Sequence, residues 1–161
     1  MVQMRGRTRC KKRSNCGTPY KNEIMRRGYE FENELNRLAK YLDKIGVHMH
    51  KNHAKRTESG VYLEGEPFDY EVLKGGGELH VFDAKECNSK RWNLNNAKLS
   101  QLHNMLVCQK NGAQAYFLVW FRLSNKIIRF DVDLIQQALA DGKKSLCEED
   151  GKLWQWTELS T

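Results

Sequence analysis

"FDYEVLKGGGELHVFDAKEC", residues 68–87, is the stretch whose reading decides the fold. Two runs of mostly apolar residues, about 68–73 and 78–86, flank the turn "KGGG" and predict two short strands joined as a hairpin. Side chains alternate faces along a strand, so Leu79, Val81, Asp83 and Lys85 point one way while His80, Phe82 and Ala84 point the other. An acid and an amine are therefore neighbours on one face, with a second acid, Asp69, across the turn. Close carboxylates repel each other, and a lysine on a sheet face loses hydration. A divalent cation resolves the conflict: Mg²⁺ takes oxygen ligands, keeps several waters, and is commonly held by one or two carboxylates plus a substrate phosphate. The chemistry suggested is metal-assisted phosphodiester hydrolysis, with the ammonium steadying negative charge in the transition state. Taken alone, D-x-K is also what a charged pair on an edge strand looks like. The three glycines either let bare backbone approach a phosphate beside the site or simply make a loose hairpin.

Outward from this hairpin, the flanking segments predict an α/β domain with a mixed central sheet flanked by helices. In "YEFENELNRLAKYLDKIG", Phe31, Leu35, Leu38, Leu42 and Ile45 recur every three or four residues, and Gly46 stands where a helix C-cap glycine belongs. "VHMHK" (47–51) alternates like a strand, "NHAKRTESG" is a polar connector, and "VYLEG" (61–65) is a short strand candidate. "RWNLNN" is a loop in which Asn95 or Asn96 caps a helix over about 97–110, with Leu99, Leu102 and Leu106 on its buried face. "AYFLVWF" (115–121) is apolar on both faces, as expected of a central strand, and "KIIRFDV" reads as its neighbour. "DLIQQALADG" is a short helix ending at Gly142, and "KLWQWTEL" is either a strand or a packed segment.

Charge separates the chain into two parts. The net charge is +7, and residues 1–27 carry nine basic side chains against the single acid Glu23, so the basic excess belongs to the N-terminal region. Residues 1–22 are expected to form a flexible basic arm and 23–161 a single domain. Such an arm suits binding to the phosphate backbone, through Arg5, Arg7, Arg9, Lys11, Lys12, Arg13, Arg26 and Arg27, or serves only as a solubilising tail. Lys74, Lys90 and Arg91 lie beside the hairpin and extend the same surface, and Trp92 in "SKRWN" is the tryptophan best placed to stack on a base. Five irregularly spaced cysteines do not form a disulfide framework and read as reduced thiols. Cys10, Cys16 and the histidines His48, His50 and His53 lack the usual zinc spacings. No apolar run reaches the length of a membrane span and the N-terminus has no signal-peptide core, so a cytoplasmic protein is expected.

"PFDY", whose Asp69 is followed after thirteen residues by "DAK", resembles the PD-(D/E)xK nuclease signature. "RGYEFENELN" (27–36), "FDYEVLKGGGELHVFDAKEC" (68–87) and "LNNAKLSQLHNM" (94–105), followed by the apolar strand "AYFLVWF", resemble the RecU family of Holliday junction resolvases in order and spacing over roughly residues 27–130. The resemblance implies a restriction-endonuclease-like core and a homodimeric, Mg²⁺-dependent endonuclease, with Mn²⁺ a possible substitute, that nicks opposed strands of a four-way DNA junction. It implies Asp69, Asp83 and Gln101 as metal ligands, and Lys85 as the residue that assists the water or stabilises the transition state. It places Glu32 as an acid that holds metal-bound water or supports the site. The sequence departs from the family at Asp83, where glutamate is usual, at Pro67 and Cys87, where threonine is common, and at Ser100, where histidine is common. The segment between Gly46 and Asp69 is also short for the projecting stalk of the family. These departures suggest a diverged relative of phage type. They leave open a nuclease of restriction or repair type without junction specificity, and a basic nucleic-acid-binding protein without catalysis.

Overall fold

A computed structural model describes residues 19–53, 57–60 and 67–160, with side chains from residue 29 onward. Residues 1–18 of the expected arm, with its six cations from Arg5 to Arg13 and with Cys10 and Cys16, the side chains of Arg26 and Arg27, and the strand expected at 61–65 lie outside the described residues, whereas residues 19–22, expected in the arm, belong to the first helix.

Helix α1 spans Pro19–Lys44, so it begins before the apolar periodicity does. Phe31, Leu35 and Leu42 form its buried stripe. The helix ends as expected at Gly46, whose φ of 83° is the left-handed conformation that glycine adopts freely, and Val47 N–H closes back on the Leu42 carbonyl at 2.9 Å. Ile45, in that terminal turn, is exposed.

Six strands form one mixed sheet in the order β1 (His48–Lys51), β2 (Tyr70–Leu73), β3 (Leu79–Cys87), β5 (Gln114–Phe121), β6 (Lys126–Asp131) and β8 (Lys152–Leu153). β3 and β5 run parallel; the other neighbours are antiparallel. A parallel neighbour needs a crossover, and α2 (Leu99–Lys110) supplies it. β5 is buried along almost its whole length, as its apolar sequence requires.

The period-two reading of β3 holds. Val81 faces a core with Met105 of α2 and Ile135 of α3 (Val132–Ala140). Phe82 faces a second core with Phe31 and Leu35 of α1. The sheet is thus covered by α1 on one face and by α2 and α3 on the other, the architecture anticipated.

Three local expectations are corrected. The N-cap of α2 is Lys98, with no side-chain cap; Asn93 instead accepts from the Asn95 N–H at 2.9 Å and caps a 3-10 turn, Leu94–Asn96. Leu99 is therefore in the first exposed turn and is 75% exposed, whereas Leu102 and Met105 are buried. Trp92 belongs to a two-stranded ribbon, β4 (Arg91–Asn93) with β7 (Ser145–Cys147). The ribbon folds the indole into the core, 1% exposed, where it stacks on Phe130 at 5.7 Å and leans on Phe117. It has no free face for a base. The C-terminal segment satisfies both of its readings, pairing as β8 and then packing Leu159 from the 3-10 turn Trp156–Leu159.

Candidate active site

β3 lies between β2 and β5 and is not an edge strand, but β2 pairs it only from Leu79 to Phe82, so Asp83 and Lys85 are laddered to β5 alone, just past the end of β2. Tyr70 of β2 pairs with Phe82, which sets Asp69 one register step further, opposite Asp83. Asp69 Oδ2 accepts from the Ala84 N–H at 3.1 Å, which ties the acid to the strand carrying its partner. Asn52 holds the approach to Asp69 from the other side: its N–H donates to the Asp69 carbonyl at 2.8 Å and its amide to the Phe68 carbonyl at 3.1 Å.

Asp83 is fully buried. Its Oδ1 accepts from Gln101 Nε2 at 3.1 Å, and its Oδ2 meets the ammonium of Lys85, whose side chain is 25% exposed. Burial first, and the Asp69 charge second, push the Asp83 carboxyl up to about 7; Lys85 pulls the other way. Two acids and one ammonium in a desolvated place thus keep one carboxylate poised between its charged and neutral forms near neutrality.

The donor set fits a hard cation. Gln101 Oε1 is buried without a hydrogen-bond partner, on the side chain whose amide already touches Asp83. Such an orphaned acceptor costs energy unless something electropositive meets it. Among the described residues no three His, Cys, Asp or Glu side chains gather as a metal cage. Two carboxylates and an amide oxygen remain, sparse for Ca²⁺ or Zn²⁺ but suited to Mg²⁺, which retains water.

Glu32 stands on the α1 side of the sheet, where its Oε2 pairs with Lys51 Nζ at 2.5 Å. It approaches the carboxylates by way of Tyr70. That hydroxyl donates to Asn36 Oδ1 at 3.4 Å, and burial, then the Glu32 and Asp69 charges, raise its pKa. Lys51 was not among the expected site residues. The alternation of "VHMHK" held the signal, since it sets Lys51 on the same side as buried Met49 and away from exposed His48 and His50.

The glycine turn is not beside the site. Asp69 and the turn lie at opposite ends of β2, separated by about 16 Å at about 3.3 Å per residue. Lys74 at that far end is enclosed by its own partners, Glu78 Oε2 at 3.2 Å and the Glu158 carbonyl at 3.0 Å, with its side chain only 9% exposed. Arg91 is tied to β7 through Ser145 Oγ at 2.8 Å and the Ser145 carbonyl at 3.0 Å, while Lys90 is exposed.

The sequence model of the family described as RecU, recombination protein U, matches residues 26–150. No curated protein matches the chain. Among solved structures, the chain is similar to Hjc, a Holliday junction resolvase from the archaeal hyperthermophile Archaeoglobus fulgidus. The TM-score is 0.52 and the identity 16%, covering 78% of this chain and 95% of that one. At that identity the likeness concerns the fold. The family match spans most of the chain and includes the strands and helix that carry Asp69, Asp83, Lys85 and Gln101: the protein belongs to the RecU family.

Proposed function

We propose that this chain is a Mg²⁺-dependent, structure-selective DNA endonuclease, a Holliday junction resolvase acting in the cytoplasm as a homodimer. The observation that carries the reading is Asp83: a fully buried carboxylate, opposite Asp69 in the register, touched by both Lys85 and Gln101. The family match and the resolvase fold support it.

Asp69, Asp83 and Gln101 are the residues that hold the cation, and Mn²⁺ suits the same oxygens. A bound cation supplies a more nucleophilic water and a polarised scissile phosphate. The rest falls to the chain's own groups. Lys85 brings an ammonium to the solvent side of the buried carboxylate, where it assists the water or offsets the charge that builds up on the phosphate. Gln101, held on the crossover helix, fixes the Asp83 rotamer through its amide. Glu32 and Lys51 support the site from the α1 side, next to Tyr70. Arg5, Arg7, Arg9, Lys11, Lys12, Arg13, Arg26, Arg27, Lys90 and Arg91 supply phosphate contacts that are independent of base sequence. A pair of symmetric nicks calls for two equivalent sites, which a C2 dimer supplies.

The test compares a labelled four-way junction, a flap and a linear duplex at matched salt with Mg²⁺. Paired, symmetric nicks in the junction alone support a resolvase. Equal cutting of all three redirects the reading to a nuclease without junction specificity. Binding without cutting, in Mg²⁺ and Mn²⁺, leaves only a non-catalytic DNA-binding protein.

A further inference from the structure

Glu86 follows Lys85 on β3 and leaves the strand on the opposite face, toward α1. Its side chain is 11% exposed. Its Oε1 accepts from the backbone N–H of Phe31 at 3.1 Å, an N–H inside α1 and adjacent to Glu32. Oε2 lies 3.8 Å from Arg122 Nε, just past β5, and Arg122 also pairs with Glu30 of α1. The Arg122 guanidinium covers the Trp120 ring at 4.1 Å, and that ring packs against Phe31 at 5.7 Å. One carboxylate therefore touches α1 and the end of β5 from the residue next to the candidate catalytic lysine.

Its position is unfavourable for stability alone. Burial pushes the Glu86 carboxyl above its usual range, and Glu30 and Glu32 add to that rise, against the Phe31 N–H and Arg122. A buried ion pair contributes no more to stability than an apolar side chain of similar volume, and often less. What an apolar side chain cannot supply is direction. A carboxylate accepting one particular helix N–H fixes how far α1 slides and rotates along β3.

We infer that Glu86 is a positioning residue for the site, locking α1 to β3 so that Glu32 and Lys85 stand in register on the two sides of the sheet. This rests on the nuclease reading above. The acceptor oxygen is what matters, so glutamine at this position retains the lock and methionine, of similar length, removes it while filling the space.

The experiment measures single-turnover cleavage of a four-way junction in Mg²⁺ for wild type, Glu86→Met and Glu86→Gln, with melting temperature, junction affinity and amide exchange across α1. Glu86→Met is expected to slow cleavage 10- to 100-fold, the range typical of outer-shell partners of a metal site. Its melting temperature should stay equal or rise, and its affinity should remain within about twofold, as a residue that acts through others and not on substrate requires. The Phe31 amide should exchange faster. Glu86→Gln should return the rate to within about threefold of wild type and restore protection at Phe31. Glu86→Met cutting at the wild-type rate overturns the inference, as does Glu86→Gln as slow as Glu86→Met. A loss of rate that only follows a lowered melting temperature overturns it too. If wild type cuts no DNA, the nuclease reading itself fails and takes this inference with it, an outcome distinct from an active wild type beside an equally active Glu86→Met.

Discussion

Gln101 reaches from the first turns of α2 to Asp83 in the middle of β3, donating its amide to Oδ1 at 3.1 Å while its own carbonyl oxygen stays buried and unpartnered. Half of this side chain is satisfied by the protein and half is not. A ligand-binding role accounts for the unsatisfied half. A purely structural role would have favoured a residue without it. Gln101→Leu is accordingly expected to leave the fold intact and to weaken Mg²⁺ binding, measured by calorimetry, about 10-fold or more. An unchanged Mg²⁺ isotherm would remove Gln101 from the ligand set.

Asp83→Asn and Lys85→Ala should each abolish most cleavage, by about 100-fold or more, as expected when charge stabilisation at the reacting phosphate is removed. Junction affinity should persist, because binding rests on cations elsewhere. Gel-shift and cleavage assays on the same preparations check both halves. Loss of binding together with cleavage would point to a DNA-contact role instead.

The raised Asp83 pKa has a signed consequence for stability. The carboxyl titrates near 3.8 when exposed and at about 7 in the fold, so the folded state holds the proton more tightly. That preference stabilises the fold fully below about pH 4 and fades as pH rises through about 7. Melting temperatures taken in chelator from pH 4.5 to 8 should fall with pH more steeply for wild type than for Asp83→Asn. Parallel profiles would show that Asp83 ionises freely. Because a cation competes with the proton for the same oxygens, the pH midpoint of cleavage should move to lower pH as Mg²⁺ is raised.

Gly151 is packed closely against β6. A Cβ built there would lie 2.5 Å from Ile128 Cγ2, 2.7 Å from the Arg129 carbonyl oxygen and 2.7 Å from Phe130 Cε1. Gly151→Ala forces β6 or the turn before β8 to shift and is expected to cost about 1–3 kcal/mol. Denaturant titration reads the loss. The candidate site is on other strands, so cleavage well below the melting temperature should be near wild type.

How much of this was legible in the sequence depends on whether a residue's environment is local. The helix of Phe31, Leu35 and Leu42, the period-two split of β3 and the central strand of Phe117 and Val119 follow from patterns within single elements, and all were read correctly. That Asp69, Asp83 and Lys85 meet is legible because a strand's alternation and a hairpin's register bring them together. What failed depended on pairing distant in sequence. Trp92 is taken into the core because β4 meets β7, over fifty residues away, and nothing near Trp92 signals that partner. Leu99 fits a buried helical stripe, but only the true start of α2 shows that its turn is exposed. The glycine turn was placed beside the acids because they are close in sequence, whereas an extended strand carries its two ends apart. Lys51 and Glu86 needed the three-dimensional docking of α1 before their partners, Glu32 and Phe31, came into view.

The parallel pairing of β3 with β5 has a bearing on the order in which the chain leaves the ribosome. Glu32, Asp69, Asp83, Lys85 and Gln101 are all synthesised before Gln114, yet the strand that flanks β3 on its second edge begins only there. A nascent or truncated chain ending short of β5 holds every chemical group of the proposed reaction and has no framework to aim them. On the proposed nuclease reading, competence to cut would therefore wait for β5 to be made and paired with β3.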